Sequence, residues 1–249
     1  MASIDSHSSI LDIDVGNSRI KWRLRANDSI TRGAIDREHI LNPSEWPKHP
    51  ATRIRVSSVA SQERARQLSV WLQSRFGTAP EFARTARFAA GLTCGYEDPS
   101  RLGVDRWLAM LAARQLSNRP FIVFGLGTAG TADFVDDQGM HKGGFIVPGL
   151  RLMTEALFDG TADVHVTFEA STLNSRVPGR STPSAVRRGV ALMLADFVSG
   201  SISRFSAACA DTPLVYLSGG DAEAIARLVE VAVEIRPELV LDGLALALP

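Results

Sequence analysis

The chain has 249 residues, 45% of them hydrophobic, enough to bury one large core or two smaller ones. Its 27 basic and 27 acidic residues cancel to a formal charge of zero, which removes any overall electrostatic case for nucleic acid or an anionic membrane as partner. Cys94 and Cys209 form no C-x-x-C pair, so neither a zinc site nor a disulfide framework is expected, and the thiols suit a reducing compartment.

The opening MASIDSHSS lacks a basic segment followed by an apolar one, and no apolar run reaches the roughly 18 residues of a membrane span. Residues 1–9 are expected to be a frayed extension of a cytoplasmic protein. ILDIDVGNSRIKWRL then runs apolar on both sides of Gly16-Asn17, which predicts strand, tight turn, strand. A third strand is expected at 30–35 and a fourth at 53–60, followed by a helix in which Leu68, Leu72 and Phe76 recur at helical spacing. PEFARTA is a short strand, and RWLAMLAARQL a helix entered from a turn at Gly103.

After Pro120 the pattern restarts: FIVF, a glycine turn, TADFV, an Asp-Asp-Gln-Gly turn, then GGFIV. This second strand-turn-strand places Gly125-Leu126-Gly127-Thr128 over Asp14-Val15-Gly16-Asn17, a weak internal repeat. GLRLMTEAL and PSAVRRGVALMLADFVSGSISRF are helices, LVYLSGG a buried strand, and DAEAIARLV a helix opening on Asp221.

Gly125, Gly127 and Gly130 spell a G-x-G-x-x-G behind an apolar strand. A dinucleotide fingerprint needs a helix next and an acidic residue about 20 positions on. Here a hairpin follows, and residues 143–147 offer no carboxylate. Glycines that only permit a tight turn are one alternative. The other is a pair of phosphate-facing hairpin turns, DVGNSRIK and GLGTAGT, whose main-chain N–H groups and small polar side chains face a polyphosphate. In the first, Asp14, Val15, Gly16, Asn17, Ser18, Arg19, Ile20 and Lys21 form the nucleotide-binding stretch. Asp14 is placed to hold Mg²⁺ and Lys21 to reach a phosphate, although Asp14 also suits a turn-capping aspartate.

DVGNSRIKWRL, GYEDPSRLGVDRWLAMLAA, GLGTAGTADFVDDQGMHKGGFIVPGLRLM, STPSAVRRGV and LSGGDA occur in the order and approximate spacing of the type III pantothenate kinases, which the chain resembles from about residue 10 to about residue 247. The resemblance implies an α/β fold of two ribonuclease-H-like domains of the actin, acetate and sugar kinase type, with ATP in the interdomain cleft. We expect the domains at residues 10–118 and 119–249. It further implies a cytoplasmic homodimer that phosphorylates pantothenate on its primary hydroxyl, opening coenzyme A synthesis, with ATP, Mg²⁺ and a monovalent cation, K⁺ or NH₄⁺.

By the same resemblance Asp105 is the base for the acceptor hydroxyl, although a helix-start carboxylate is its ordinary explanation. Arg106 pairs with the substrate carboxylate, Gly103 and Val104 allow close backbone approach, and Tyr96 and Thr182 contact substrate. Thr182 also suits a helix N-cap ahead of Pro183. Thr128 contacts a nucleotide phosphate, Gly219 and Gly220 border the adenosine, and His141 is a supporting residue. The family's cation-binding aspartate is replaced by Gly125, so weakened or altered potassium dependence is expected, with backbone carbonyls or Asp133 as partial substitutes. Two competing readings remain: a catalytically impaired relative that binds nucleotide or a protein partner, and an NAD-dependent oxidoreductase, which requires a helix after Gly130.

Overall fold

The computed structural model describes residues 9–159 and 176–249. They divide into two units: the described residues up to Ala112 with Leu239–Pro249, and Ala113–Glu238.

In the first unit, β1 (Ser9–Val15), β2 (Arg19–Ala26) and β3 (Ser29–Asp36) form an antiparallel meander. On the other side of β1 lie β4 (Arg53–Ser58) and β5 (Pro80–Phe82), both parallel, giving the order β3-β2-β1-β4-β5. The parallel pair β4 and β5 needs a crossover, which α1 (Gln62–Phe76) supplies. A small hairpin, β6 (Phe88–Ala89) and β7 (Leu92–Thr93), leads to α2 (Val104–Leu116).

Period-two alternation divides this sheet into unlike faces. Leu11, Ile13 and Val15 align with Ile20, Trp22 and Leu24 on β2 and with Ile54 and Val56 on β4, and this face packs on Leu68 and Leu72 of α1. The opposite face of β1 carries Asp12 and Asp14, in register with Arg23 and Lys21 on β2 and with Arg55 and Ser57 on β4.

The second unit repeats the order. β8 (Phe121–Leu126), β9 (Ala129–Val135) and β10 (His141–Pro148) are antiparallel. After α3 (Leu150–Asp159) and α4 (Thr182–Ser206) come β11 (Leu214–Ser218), α5 (Ala222–Ala226) and β12 (Glu234–Ile235), completing the order β10-β9-β8-β11-β12. Ile122, Phe124, Leu126, Ala132, Phe134, Val215 and Leu217 face the apolar stripe of α4, from Val190 through Ile202. The duplicated order, three antiparallel strands and two parallel ones, is the two-domain α/β arrangement expected of this fold class.

The division differs from the expected one at both ends of the second domain. It begins at Ala113, within α2, and the last helix, α6 (Leu239–Ala247), packs on β1 and β4 of the first unit. Two contacts explain α6: Arg23 Nη1 donates to Asp242 Oδ1, and a Cβ at Gly243 would stand 2.1 Å from the Leu108 carbonyl oxygen, so the helices meet backbone to backbone. Of the expected frayed extension only Ser9 lies among the described residues, and it opens β1. Among the described residues no helix is long and apolar enough to cross a membrane.

Candidate active site

Two aspartates on the polar face of β1 have contrasting surroundings. Asp12, fully buried, accepts hydrogen bonds from Arg23 Nη2 at 3.3 Å, Arg25 Nη2 at 2.7 Å and Arg55 Nε at 2.8 Å. Those cations answer its charge and give it a structural role. Asp14 Oδ1 is buried with no hydrogen-bond partner among the described residues. Burial first, and then the charge of Asp105, push the Asp14 carboxyl up to about 6, against weaker opposing pulls from Ser57 and Lys21. Ser57 stands near enough to exert that pull without completing a hydrogen bond of good geometry, since its own Oγ is buried and unpartnered among the described residues.

Asp105 lies in the first turn of α2, where the helix dipole favours a carboxylate. The Gly103 carbonyl accepts the Trp107 N–H at 3.1 Å, and a Cβ at Gly103 would stand 2.7 Å from Asp105 Oδ1. Glycine therefore leaves the space into which the carboxylate folds. Val104 opens the helix, and Arg106 follows, buried, with Nη1 donating to Tyr96 Oη at 3.1 Å and its guanidinium carbon 5.8 Å from the tyrosine ring centroid.

This donor set fits Mg²⁺, which typically binds through one or two carboxylates and keeps water and phosphate oxygens for the rest. A buried carboxylate oxygen without a donor, close to a second carboxylate, offers that chemistry. Among the described residues no group of three or more acidic, histidine or cysteine side chains forms a complete cage.

The turn after β1 is tight. Gly16 N–H donates to the Arg19 carbonyl at 3.1 Å, while Arg37 grips the turn through its N–H to the Ser18 carbonyl at 3.1 Å and its Nη1 to the Asn17 carbonyl at 2.9 Å. Gly127 N–H likewise closes its own turn, on the Ala129 carbonyl at 3.1 Å. Both glycine N–H groups, expected to face phosphate, are thus engaged within the hairpins, and the turns present Asn17, Ser18 and Thr128. Val15 and Ile20 belong to the core, so they can meet a nucleotide only through their main chain. Arg19 pairs with Asp36 at 3.2 Å on the surface.

In the second unit Gly125 aligns with Thr131 and Ser218 as Asp14 does with Lys21 and Ser57. A Cβ at Gly125 would stand 2.7 Å from Thr131 Oγ1. The other two glycines of the pattern stand in different surroundings. Gly127 lies in the turn, where a Cβ would meet nothing within 4 Å; the close approach there belongs to Gly149, whose Cβ would be 2.0 Å from the Gly127 carbonyl oxygen. Gly130 lies under α4, where a Cβ would be 3.2 Å from Leu194 Cδ1. Strand β9 follows, so the helix that the oxidoreductase reading requires is not there.

Gly219 has φ +105°, and a Cβ on it would stand 2.1 Å from the Leu126 carbonyl oxygen; Gly220 is open. Asp221 makes no side-chain cap on the short α5, and burial pushes its carboxyl up to about 6. Thr182 is the first residue of α4, not its cap: Ser181 caps the helix in a reciprocal box with Ser184. Asp133 is buried, with Oδ1 paired to His141 Nε2 at 3.0 Å. Ser57 escaped the sequence reading. The alternation in RIRVSS puts Ser57 on one face with Arg55, but only the register of β4 against β1 brings it to Asp14.

A family model described as type III pantothenate kinase matches residues 10–204. The type III pantothenate kinase of Pseudomonas fluorescens (strain SBW25) is 40% identical over 247 residues, covering 96% of this chain and 99% of that one. Two solved structures share the fold at low identity. A Campylobacter jejuni protein described as a Baf family transcriptional activator superposes with a TM-score of 0.56 at 19% identity, covering 94% of this chain and 95% of its own. Ethanolamine utilization protein EutJ from Carboxydothermus hydrogenoformans superposes with a TM-score of 0.52 at 14% identity, covering 96% and 89%.

Proposed function

Since the chain belongs to the type III pantothenate kinases, we infer that it transfers a phosphoryl group from ATP to pantothenate, giving phosphopantothenate for coenzyme A synthesis. The impaired-relative reading loses ground to the identity and coverage of its relatives. The observation that most directly carries a catalytic reading is the buried Asp14 Oδ1, without a donor among the described residues and near Asp105, set against the arginine-paired Asp12 on the same strand face.

In our reading Asp105 accepts the proton of the pantothenate primary hydroxyl and orients that oxygen for in-line attack. Asp14 holds Mg²⁺ directly or through water, and bound Mg²⁺ supplies charge neutralisation for the phosphates. Lys21 adds a positive charge beside Asp14, while Asn17, Ser18 and Thr128 offer polar side chains to phosphate oxygens. Gly219 and Gly220 leave bare backbone for the adenosine. Arg106, hydrogen-bonded to Tyr96 Oη, takes the substrate carboxylate in a geometry suited to a guanidinium, and Gly103, Val104 and Thr182 complete the acceptor contacts.

We assign the protein to the cytoplasm, where ATP is supplied, and to a homodimer. The dimer is supported by exposed apolar side chains on the α4 side of the second unit, where Phe145 and Met193 are 50% and 63% exposed. Gly125 offers no carboxylate to a monovalent cation, so potassium dependence is altered. The test of the activity is an assay for phosphopantothenate and ADP from pantothenate and ATP. Formation of both in equal amounts supports the assignment, and ATP turnover independent of pantothenate rejects it.

A further inference from the structure

The chain entering the β6–β7 hairpin ties down both loops that carry the proposed acceptor contacts. Thr85 Oγ1 donates to the Leu102 carbonyl at 2.9 Å, next to Gly103. Two residues on, Arg87 Nη1 donates to the carbonyls of Cys94 at 3.1 Å and Tyr96 at 2.7 Å, and its Nη2 donates to the Glu97 carbonyl. The Arg87 carbonyl in turn accepts the Cys94 N–H at 2.9 Å. One planar guanidinium thus gathers three carbonyls across residues 94–97, a task that uses its fixed fork of donors and that a lysine ammonium matches poorly.

The chain can return to Arg87 because the hairpin reverses in two residues, Ala90 at φ 46° and Gly91 at φ 78°. Phe88 and Ala89 pair with Thr93 and Leu92, and Leu92 is fully buried, fixing the register. Tyr96 leaves this braced segment to meet Arg106, one residue after Asp105.

We propose that Arg87 is a positioning residue for the acceptor substrate: by holding the Tyr96 main chain it sets where the Tyr96 ring and hydroxyl stand against Arg106, and so governs pantothenate affinity. This rests on the assignment of Tyr96 and Arg106 to the acceptor site. Arg87 is exposed, and so are its bonds to the Tyr96 and Glu97 carbonyls, so its loss returns those two to water and leaves only the half-buried bond to the Cys94 carbonyl to be replaced. Its effect therefore belongs to substrate binding more than to stability.

The test is steady-state kinetics of Arg87→Ala, Arg87→Lys, Tyr96→Phe and the double variant, each substrate varied in turn, with thermal melts. Arg87→Ala is expected to raise KM for pantothenate about tenfold or more through misplacement of the loop, with KM for ATP within about twofold and a melting temperature close to that of the parent. Arg87→Lys recovers only part of the loss, and Arg87→Ala adds less in the Tyr96→Phe background than alone. An unchanged KM for pantothenate, an equal rise for both substrates, or full additivity with Tyr96→Phe would overturn the proposal. Should Arg87→Ala fail to fold, the same criteria apply to Arg87→Lys. If Tyr96→Phe alone leaves pantothenate KM unchanged, the acceptor-site assignment fails and this proposal with it. A raised KM there beside a silent Arg87 sinks only the brace.

Discussion

Asp12 and Asp14 sit two residues apart on one face of one strand, yet one is held by arginines and the other has a buried oxygen, Oδ1, with no donor among the described residues. Ionised Asp14 therefore destabilises the ligand-free fold. With its carboxyl raised from 3.8 to about 6, the folded protein binds the proton more tightly than the unfolded chain. The cost is present in full above about pH 6, falls as pH drops through that value, and is gone below the ordinary carboxylate range. Asp14→Asn should raise stability by about 1–2 kcal/mol at pH 7.5, the full shift being discounted for partial exposure. The gain should shrink toward pH 4, while Mg²⁺-dependent ATP affinity is lost. Melting temperatures of both proteins at the two pH values check this, and a gain that does not vary with pH would contradict it.

At the scale of elements, the β8–β9 hairpin carries Gly125, the residue expected to alter potassium dependence. Gly125→Asp must displace Thr131 Oγ1, which lies at the far end of a short side chain that can rotate. The variant should fold and gain potassium dependence, with the parent showing weaker dependence in the same assay. An equal, strong requirement in both would contradict the assignment. The hairpin itself was legible in the sequence, because FIVF, a glycine turn and the alternating TADFV stand where a dinucleotide fold would start a helix. The register of β4 against β1 was not legible, because it joins strands distant in sequence, and Ser57 reaches Asp14 only through it. The cap of α4 moved by one residue to Ser181, since both hydroxyls can accept the same N–H and only the backbone chooses between them. The Arg87 brace left no local sequence signal, being made of carbonyls that every residue carries.

For the whole molecule, the duplicated strand order was foreshadowed by the second strand-turn-strand after Pro120. The return of α6 to the first unit was not, because a short apolar helix carries no mark of which sheet it covers; Asp242 against Arg23 and Gly243 against Leu108 decide it. At the level of assembly, Met193→Glu on the exposed face of α4 should convert a dimer to monomers in sedimentation velocity, and a monomeric parent protein would contradict the homodimer. The central claim, a pantothenate kinase with Asp105 as base, is tested most directly by Asp105→Asn, measuring turnover and ATP affinity on the same preparation. Turnover should fall by about 10²–10⁴-fold with ATP affinity nearly unchanged; near-normal turnover would contradict the account.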